Sequence, residues 1–266
     1  MTELDLPPVD QARFVRVIDV ETSGLPEDEQ HALVEIGWVD LNLATMTIGN
    51  PVTMLVNPGH TIPAHIRAIH HISDEMVADA ITPAAAVAKA CSGMSLDDVF
   101  CAHSSAFERQ FIGEVGRRWI CTLKAAYRAW PELRSHSNQA LRYEFGIDVE
   151  PDFDSAAAMP PHRALPDAWT TAFILRRLLQ LRPLARLIEL EGLPTFMHKF
   201  GFGKHFGKTF EEVSKIDASY LEWIVDKSEL DEGVKYTARY WLGKRSLANV
   251  ANQLSEQRYL NDQGDR

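Results

Sequence analysis

Cysteine is scarce in this chain of 266 residues: Cys91, Cys101 and Cys121 form no CxxC pair, and one of the three is always left over. Neither a disulfide framework nor a cysteine zinc site is indicated. No apolar run approaches the ~18–20 residues of a membrane helix. The N-terminus, MTELDLPPVDQARF, is acidic and lacks the cationic and apolar regions of a secretory leader, so a cytoplasmic protein is expected. Basic residues are also too few for a protein that binds nucleic acid by phosphate neutralisation alone, since 27 Lys+Arg face 37 Asp+Glu. An enzyme working through divalent cations escapes that constraint, because the ions offset an acidic centre.

What the chain does have is ordinary globular composition, 45% apolar and 24% charged, enough for one or two domains. Its acidity is local. Residues 1–100 carry 15 acids against 4 bases, and the remainder 22 against 23. Arg13–Glu21 reads as a strand buried on both faces, ended by the turn Thr22–Pro26. Two further strands, Leu33–Leu43 and Met46–Val56, follow without a helix between them, so an antiparallel meander is expected, with Pro51 placing the last at an edge or interrupting it. Helical patterning begins near Ala64 and continues through Thr82–Cys91. It then alternates with short strands at Asp98–His103 and Trp119–Thr122, which predicts a mixed sheet flanked by helices. A Pro- and Ala-rich loop, Pro151–Pro166, leads to an amphipathic helix over Asp167–Leu181.

Three groups of residues carry chemistry. Asp19 and Glu21 alternate onto one face at the end of a buried strand, roughly 6.5–7 Å apart, where two carboxylates repel each other unless a cation joins them. Glu108 follows His103-Ser104 one turn into a helix, a place that a dipole-facing acid also fits. His162 precedes Asp167 by five residues, at the start of the late helix. The Gly207-Lys208-Thr209 triplet does not make a phosphate loop, because the required first glycine falls on Phe202.

Taken in order, Ile18–Leu25, Ile69–Val77, Phe100–Glu108 and His162–Asp167 resemble the motifs of the DEDDh 3′→5′ exonucleases. The segment 196–210, followed by Tyr220–Ile224, resembles the small C-terminal domain of exodeoxyribonuclease X-like proteins. The resemblance implies an α/β fold: a ribonuclease H-like, mixed five-stranded sheet flanked by helices, with a small α+β C-terminal domain. The implied organisation is a tail at 1–12, an exonuclease domain at 13–183, a linker at 184–194 and the C-terminal domain at 195–266. It further implies two Mg²⁺ or Mn²⁺ ions about 3.5–4 Å apart, held by Asp19, Glu21, Glu108 and Asp167, with His162 as general base. Nucleic-acid contacts are implied for Thr22, Ser23, Gly24, Leu25, His70, His103 and Ser104, and for Lys204 and Lys208 in the second domain.

Glu108 and Ser104 depart from the family pattern, which has Asp and Asn there. The expected activity is release of 5′-mononucleotides from 3′ ends, with DNA favoured by the C-terminal resemblance. Short RNA is the first alternative, and a non-catalytic nucleic-acid or polymerase-binding module with a degenerate site is the second. Partners are accordingly single- or double-stranded DNA or RNA, a polymerase or repair protein by analogy, and no membrane. The stretch 111–142, with six Lys/Arg against two Glu, could track a phosphate backbone or form an ordinary solvated face. The aromatics and lysines of 196–210 could stack single-stranded bases, or the phenylalanines could be core.

Overall fold

A computed structural model describes residues 11–28 and 30–247; the expected tail at 1–12 lies almost wholly outside the described residues. The chain divides into two compact units. The first runs to residue 129 and includes 133–192; the second comprises 130–132 and the residues from 193 onward.

The first unit is built on a five-stranded sheet in the order β3-β2-β1-β4-β5, with β1 at Phe14–Thr22, β2 at Leu33–Asn42, β3 at Ile48–Leu55, β4 at Val99–Ala102 and β5 at Trp119–Cys121. Strands β1, β2 and β3 pair antiparallel, whereas β1–β4 and β4–β5 are parallel. The sheet is therefore mixed, and Pro51 sits on the edge strand, where its missing N–H leaves no ladder bond unmade. Period-two alternation sends Ile18 and Val20 of β1 to one face, where they join Ile36, Trp38 and Phe100 and the helix α3 (Pro83–Cys91). Asp19 and Glu21 consequently point to the opposite face.

Charge is also buried inside this unit. Arg16 on β1 makes two bonds to Asp40 on β2, at 2.8 and 2.9 Å, and donates to the carbonyls of Ala90 and Ser92. A buried guanidinium is tolerable only with its donors matched in this way. Because its carbonyl partners lie at the end of α3, the pair also anchors that helix to the sheet.

Helices α1 (Ala64–His70) and α2 (Asp74–Val77) precede α3, and α4 (Ser105–Ile112), α5 (Thr122–Ala129) and α6 (Asn138–Glu144) follow. The helix α7 runs from Ala164 to Leu181, three residues earlier than its amphipathic pattern predicts. Pro166 is accommodated because the first turn of a helix has no intrahelical N–H partners to lose. Residues 184–194, read above as a linker, are mostly the helix α8 (Leu184–Glu191), whose Leu187 and Leu190 are buried. Its last residue, Glu191, accepts bonds from Ser105 and Arg109 on α4.

In the second unit, Phe200, Phe210, Val213, Leu221 and Ile224 form a core of their own. Among the described residues its strand pairing is one isolated bridge, Lys199↔Thr209. The rest is largely helical: α9 (Phe210–Ile216), α10 (Ala218–Lys227) and a stretch over 232–247.

Candidate active site

Strand β1 brings Asp19 and Glu21 to the face covered by α7, and the helix brings Asp167. One carboxylate oxygen from each of these three residues lies within 4.8 Å of the others. This approach depends on Gly37. It pairs with Asp19 in the β1–β2 ladder, and a Cβ there would lie 2.4 Å from the backbone nitrogen of Leu165 and 2.7 Å from the carbonyl carbon of Ala164. Only a residue without a side chain lets the first turn of α7 rest on the strand.

Glu35, paired with Glu21 in the same ladder, fixes the helix end. Its carboxylate accepts two bonds from Arg163, at 2.8 and 2.5 Å, and the backbone N–H of Ala164 at 2.9 Å. An acid from β2 thus takes one orphan donor at the positive end of α7. Arg163 also offsets the repulsion between Glu35 and Glu21, which would otherwise face each other as like charges.

Asp167 is held on both oxygens. Oδ2 accepts the backbone N–H of His162 (2.8 Å), and Oδ1 accepts the side-chain amide of Gln139 (3.3 Å). Asn138 donates to the Asp167 carbonyl and to Thr171, tying α6 to α7 at this point. His162 has φ +60°, a left-handed conformation that non-glycine residues seldom adopt. That conformation turns its N–H toward Asp167 while its side chain is exposed.

Glu108 stands outside the 4.8 Å set but is buried, with Oε2 lacking any hydrogen-bond partner.

These carboxyl groups resist ionisation. Burial, then the charges of Glu108, Asp167, Glu21 and Glu35, hold Asp19 well above the usual carboxylate range. Burial and the charges of Asp167 and Glu35 push Glu21 up to about 8 against the pull of Arg163. Glu108 is likewise raised to about 8, chiefly by burial. Burial also raises Asp167, against the bonds from His162 and Gln139. An all-oxygen donor set, mutually repelling and including an orphaned buried oxygen, fits a hard divalent cation, which would replace the retained protons.

The other expected contacts divide. Leu25 is half-exposed, and its N–H is held by Asp28. Thr22, Ser23 and Gly24 are buried beside it: Thr22 donates to the Gly24 carbonyl, and Ser23 accepts the Ala32 N–H and meets His60. Ser104 precedes α4 without capping it.

His70 is buried and uses Nδ1 to accept the Ile72 N–H; burial lowers its pKa. That bond shapes the turn after α1 and engages only one of the two ring nitrogens. His103 is also turned inward. Nε2 donates to the His136 carbonyl and Nδ1 meets the Thr122 hydroxyl, so no ring nitrogen is left for a substrate. Its pKa falls to about 4 through burial.

The basic stretch 111–142 is largely structural. Arg142 is buried, Arg117 donates to three backbone carbonyls, and Lys124 donates to the Glu191 carbonyl.

Comparison with known proteins agrees with this geometry. Residues 17–175 match the family model described as Exonuclease. The chain belongs to this exonuclease family. Within the family it is similar to Exodeoxyribonuclease 10 of Escherichia coli (strain K12), 31% identical over 232 residues that cover 86% of this chain and 99% of the relative. Residues 200–229 match a second model, the Exodeoxyribonuclease X-like C-terminal domain. Among solved structures, Exonuclease X in complex with 5′ overhanging duplex DNA superposes with a TM-score of 0.57 at 30% identity, covering 67% of this chain and 99% of the other. The nuclease domain of 3′hExo, a DEDDh family member bound to rAMP, shares the fold at 19% identity (TM-score 0.51, covering 64% of this chain and 93% of the other).

This exonuclease is thus a 3′→5′ hydrolase of nucleic acid with the ribonuclease H-like fold of its family, and family membership implies dependence on a divalent metal. No helix among its described residues is long and apolar enough to cross a membrane. Sequence reasoning missed Glu35 and Gly37. The available signal was an acid and a glycine inside an otherwise continuous apolar strand, LVEIGWV.

Proposed function

We propose that this exonuclease removes nucleotides from the 3′ ends of DNA and releases 5′-mononucleotides, using two divalent cations and a histidine base. One observation carries the reading: Asp19, Glu21 and Asp167 converge within 4.8 Å, and the exposed His162 is tied to this cluster by its backbone N–H on Asp167. Asp19, Glu21 and Asp167 would hold one ion, and Asp19 with Glu108 a second. When bound, such ions polarise the scissile phosphate and stabilise the oxygen charge that develops on it.

The chain's own groups supply the rest. Glu35 and Arg163 set the position of α7, Gln139 orients Asp167, and Leu25 packs against the terminal base. His162 takes the proton of the attacking water as its oxygen bonds to phosphorus, and passes it to solvent. The phosphorus–O3′ bond breaks, and the 3′ oxygen of the shortened strand leaves with a solvent proton. Preference for DNA is supported by likeness to Exodeoxyribonuclease 10 over nearly its whole length. The polymerase or repair partner expected by analogy has no supporting feature among the described residues.

The test is hydrolysis of end-labelled DNA and RNA oligomers with Mg²⁺, Mn²⁺ or EDTA. His162→Ala should bind metal and substrate while losing about 10²–10⁴-fold in kcat. Asp19→Ala should be inactive with either ion. Wild-type rates in either variant would reject the assignment, and faster trimming of RNA than DNA would overturn the substrate preference.

A further inference from the structure

The catalytic reading leaves one feature of the second unit unused. Segment 196–210 contains five phenylalanines, three lysines and no acid. Phe200 and Phe210 are buried and stacked at 3.9 Å, and Phe202 packs against the same core. Phe196 meets Tyr240 edge-on at 5.0 Å. Phe206 does the opposite, standing 73% exposed.

Its backbone is not free to fold the ring away. The Lys199↔Thr209 bridge closes a hairpin, and Phe200 exchanges bonds with Lys208 and Gly207 across it, at 2.9 and 2.8 Å. Phe206 lies between Gly203 and Gly207, whose φ values of +66° and +81° L side chains rarely adopt. The tip is then fastened to α10 and the residue before it. Asp217 takes His205 at 2.9 Å and Lys204 at 2.7 Å, and Lys204 also lies 4.7 Å from the Tyr220 ring centroid. Trp223 stacks on Tyr220 at 5.7 Å and is 46% exposed. Lys199 and Lys208 are exposed and form no ion pair among the described residues, although the charges of both act on Glu212.

A lone exposed phenylalanine needs no explanation. A rigidly mounted one, with a second exposed aromatic in the same unit and two lysines held in no ion pair, has the composition of a base-stacking platform. We propose that this hairpin is a second binding site, which takes single-stranded nucleic acid with Phe206 stacked on a base and Lys199 and Lys208 against the phosphates. Because the tip is already ordered, little conformational entropy is lost when a base docks. Lys204 serves as a strut, committed to Asp217 and Tyr220. The inference rests on nucleic acid being the substrate but not on the chemistry at Asp19.

The experiment uses the full chain carrying Asp19→Asn, to block turnover, and the fluorescence anisotropy of a labelled oligothymidylate 20-mer in EDTA. Adding Phe206→Ala should weaken binding about 5- to 150-fold, the range for losing one base stack. Phe206→Leu should weaken it nearly as much, because it keeps the apolar bulk but not the ring, whereas Phe206→Trp should retain wild-type affinity. Lys208→Ala should lower the slope of log affinity against log salt by about 0.7.

Affinities within twofold across the Ala, Leu and parent proteins would overturn the site. Leu matching Phe while Ala fails would replace stacking by plain apolar docking and overturn it equally. Hydrolysis by the wild-type chain with Mn²⁺ is read in parallel: its absence would refute the catalytic reading, whereas the Phe206 affinities decide this one.

Discussion

Gly37→Ala is a one-methyl test of how the carboxylates are assembled. The added Cβ would sit 2.4 Å from Leu165 N, 2.7 Å from Ala164 C and 2.8 Å from Leu165 Cα, all backbone atoms of the first turn of α7. Ordinary contact begins near 3.4 Å, so the turn must retreat by about 1 Å or the strand must bow by as much. The turn cannot yield by a rotamer change, because Glu35 grips Ala164 and Arg163 from β2. Asp167 therefore moves away from Asp19 with it. Overpacking of this kind costs about 1–3 kcal/mol of stability, and a displacement of about 1 Å at a reacting centre costs about 10²-fold in rate.

The assay is kcat on an end-labelled oligonucleotide at saturating Mn²⁺, with Mn²⁺ affinity by calorimetry and thermal unfolding by circular dichroism. We expect kcat to fall about 100-fold and metal to bind more weakly, while the chain still unfolds cooperatively a few degrees lower. Gly49→Ala is the control, since its Cβ would meet nothing within 4 Å. Wild-type kcat and metal affinity in Gly37→Ala would refute the claim that close approach of helix to strand builds the site.

Glu35→Gln should lower kcat more than it raises KM, because the amide keeps the shape but loses the charge that holds Arg163 and the α7 end; a change confined to KM would argue against this. In metal-free protein, Glu21 and Glu108 have folded pKa values raised to about 8, so the native state retains protons that the unfolded chain releases above about pH 4.5. The melting temperature in EDTA should therefore fall as pH rises from 5 toward 8.5, and Mn²⁺ should recover it increasingly at the alkaline end. A flat profile in EDTA would show that burial and repulsion do not hold protons on these carboxyl groups.

Asp98 has the opposite sign. Burial, which alone would raise its pKa, is outweighed by bonds from Arg13 and Ser95, and the carboxyl lies at about 2. Its contribution, about 2 kcal/mol, is present above about pH 4 and disappears as pH falls to 2. The urea-unfolding difference between wild type and Asp98→Asn should close over that window, and a constant difference would contradict it.

How much of this could be read in the chain depends on the range of each interaction. Asp19 and Glu21 were legible as a same-face pair because alternation along a strand is a local rule. The edge position of Pro51 was one of the two readings that its missing donor allowed, the other being an interrupted strand. Glu35 was not legible, because its partner Arg163 is 128 positions away and an acid within an apolar strand looks like a solvent-facing residue until something covers it. The aromatics of 196–210 stayed open between two readings for the reverse reason. Phenylalanine and lysine alternate with glycine in a pattern that fits a binding surface, yet only tertiary packing separates Phe200 and Phe210, which make the core, from Phe206, which does not. His103 was placed beside its motif neighbours in sequence, but the loop before α6 supplies the His136 carbonyl that draws its ring inward.

The electrostatic design of the site explains why its supports are ionic. Asp19, Glu21, Glu108, Asp167 and Glu35 act on one another as like charges, and Arg163 is the cation that acts on Glu21 against them. A site of this composition cannot be held together by its own carboxylates, which gain stability by moving apart. It has to be clamped from outside, by the β1–β2 ladder beneath Asp19, by a guanidinium and a helix terminus on Glu35, and by backbone and amide donors on both oxygens of Asp167. Each clamp fixes a carboxylate without neutralising its oxygens fully, so repulsion remains available to favour a cation. Replacing any one clamp by a neutral isostere should relax the acids outward, weakening metal binding together with turnover; Gln139→Leu, which removes one bond from Asp167 at 3.3 Å, is the mildest such case. If that variant bound Mn²⁺ as tightly as the parent, the amide would be incidental to the position of Asp167.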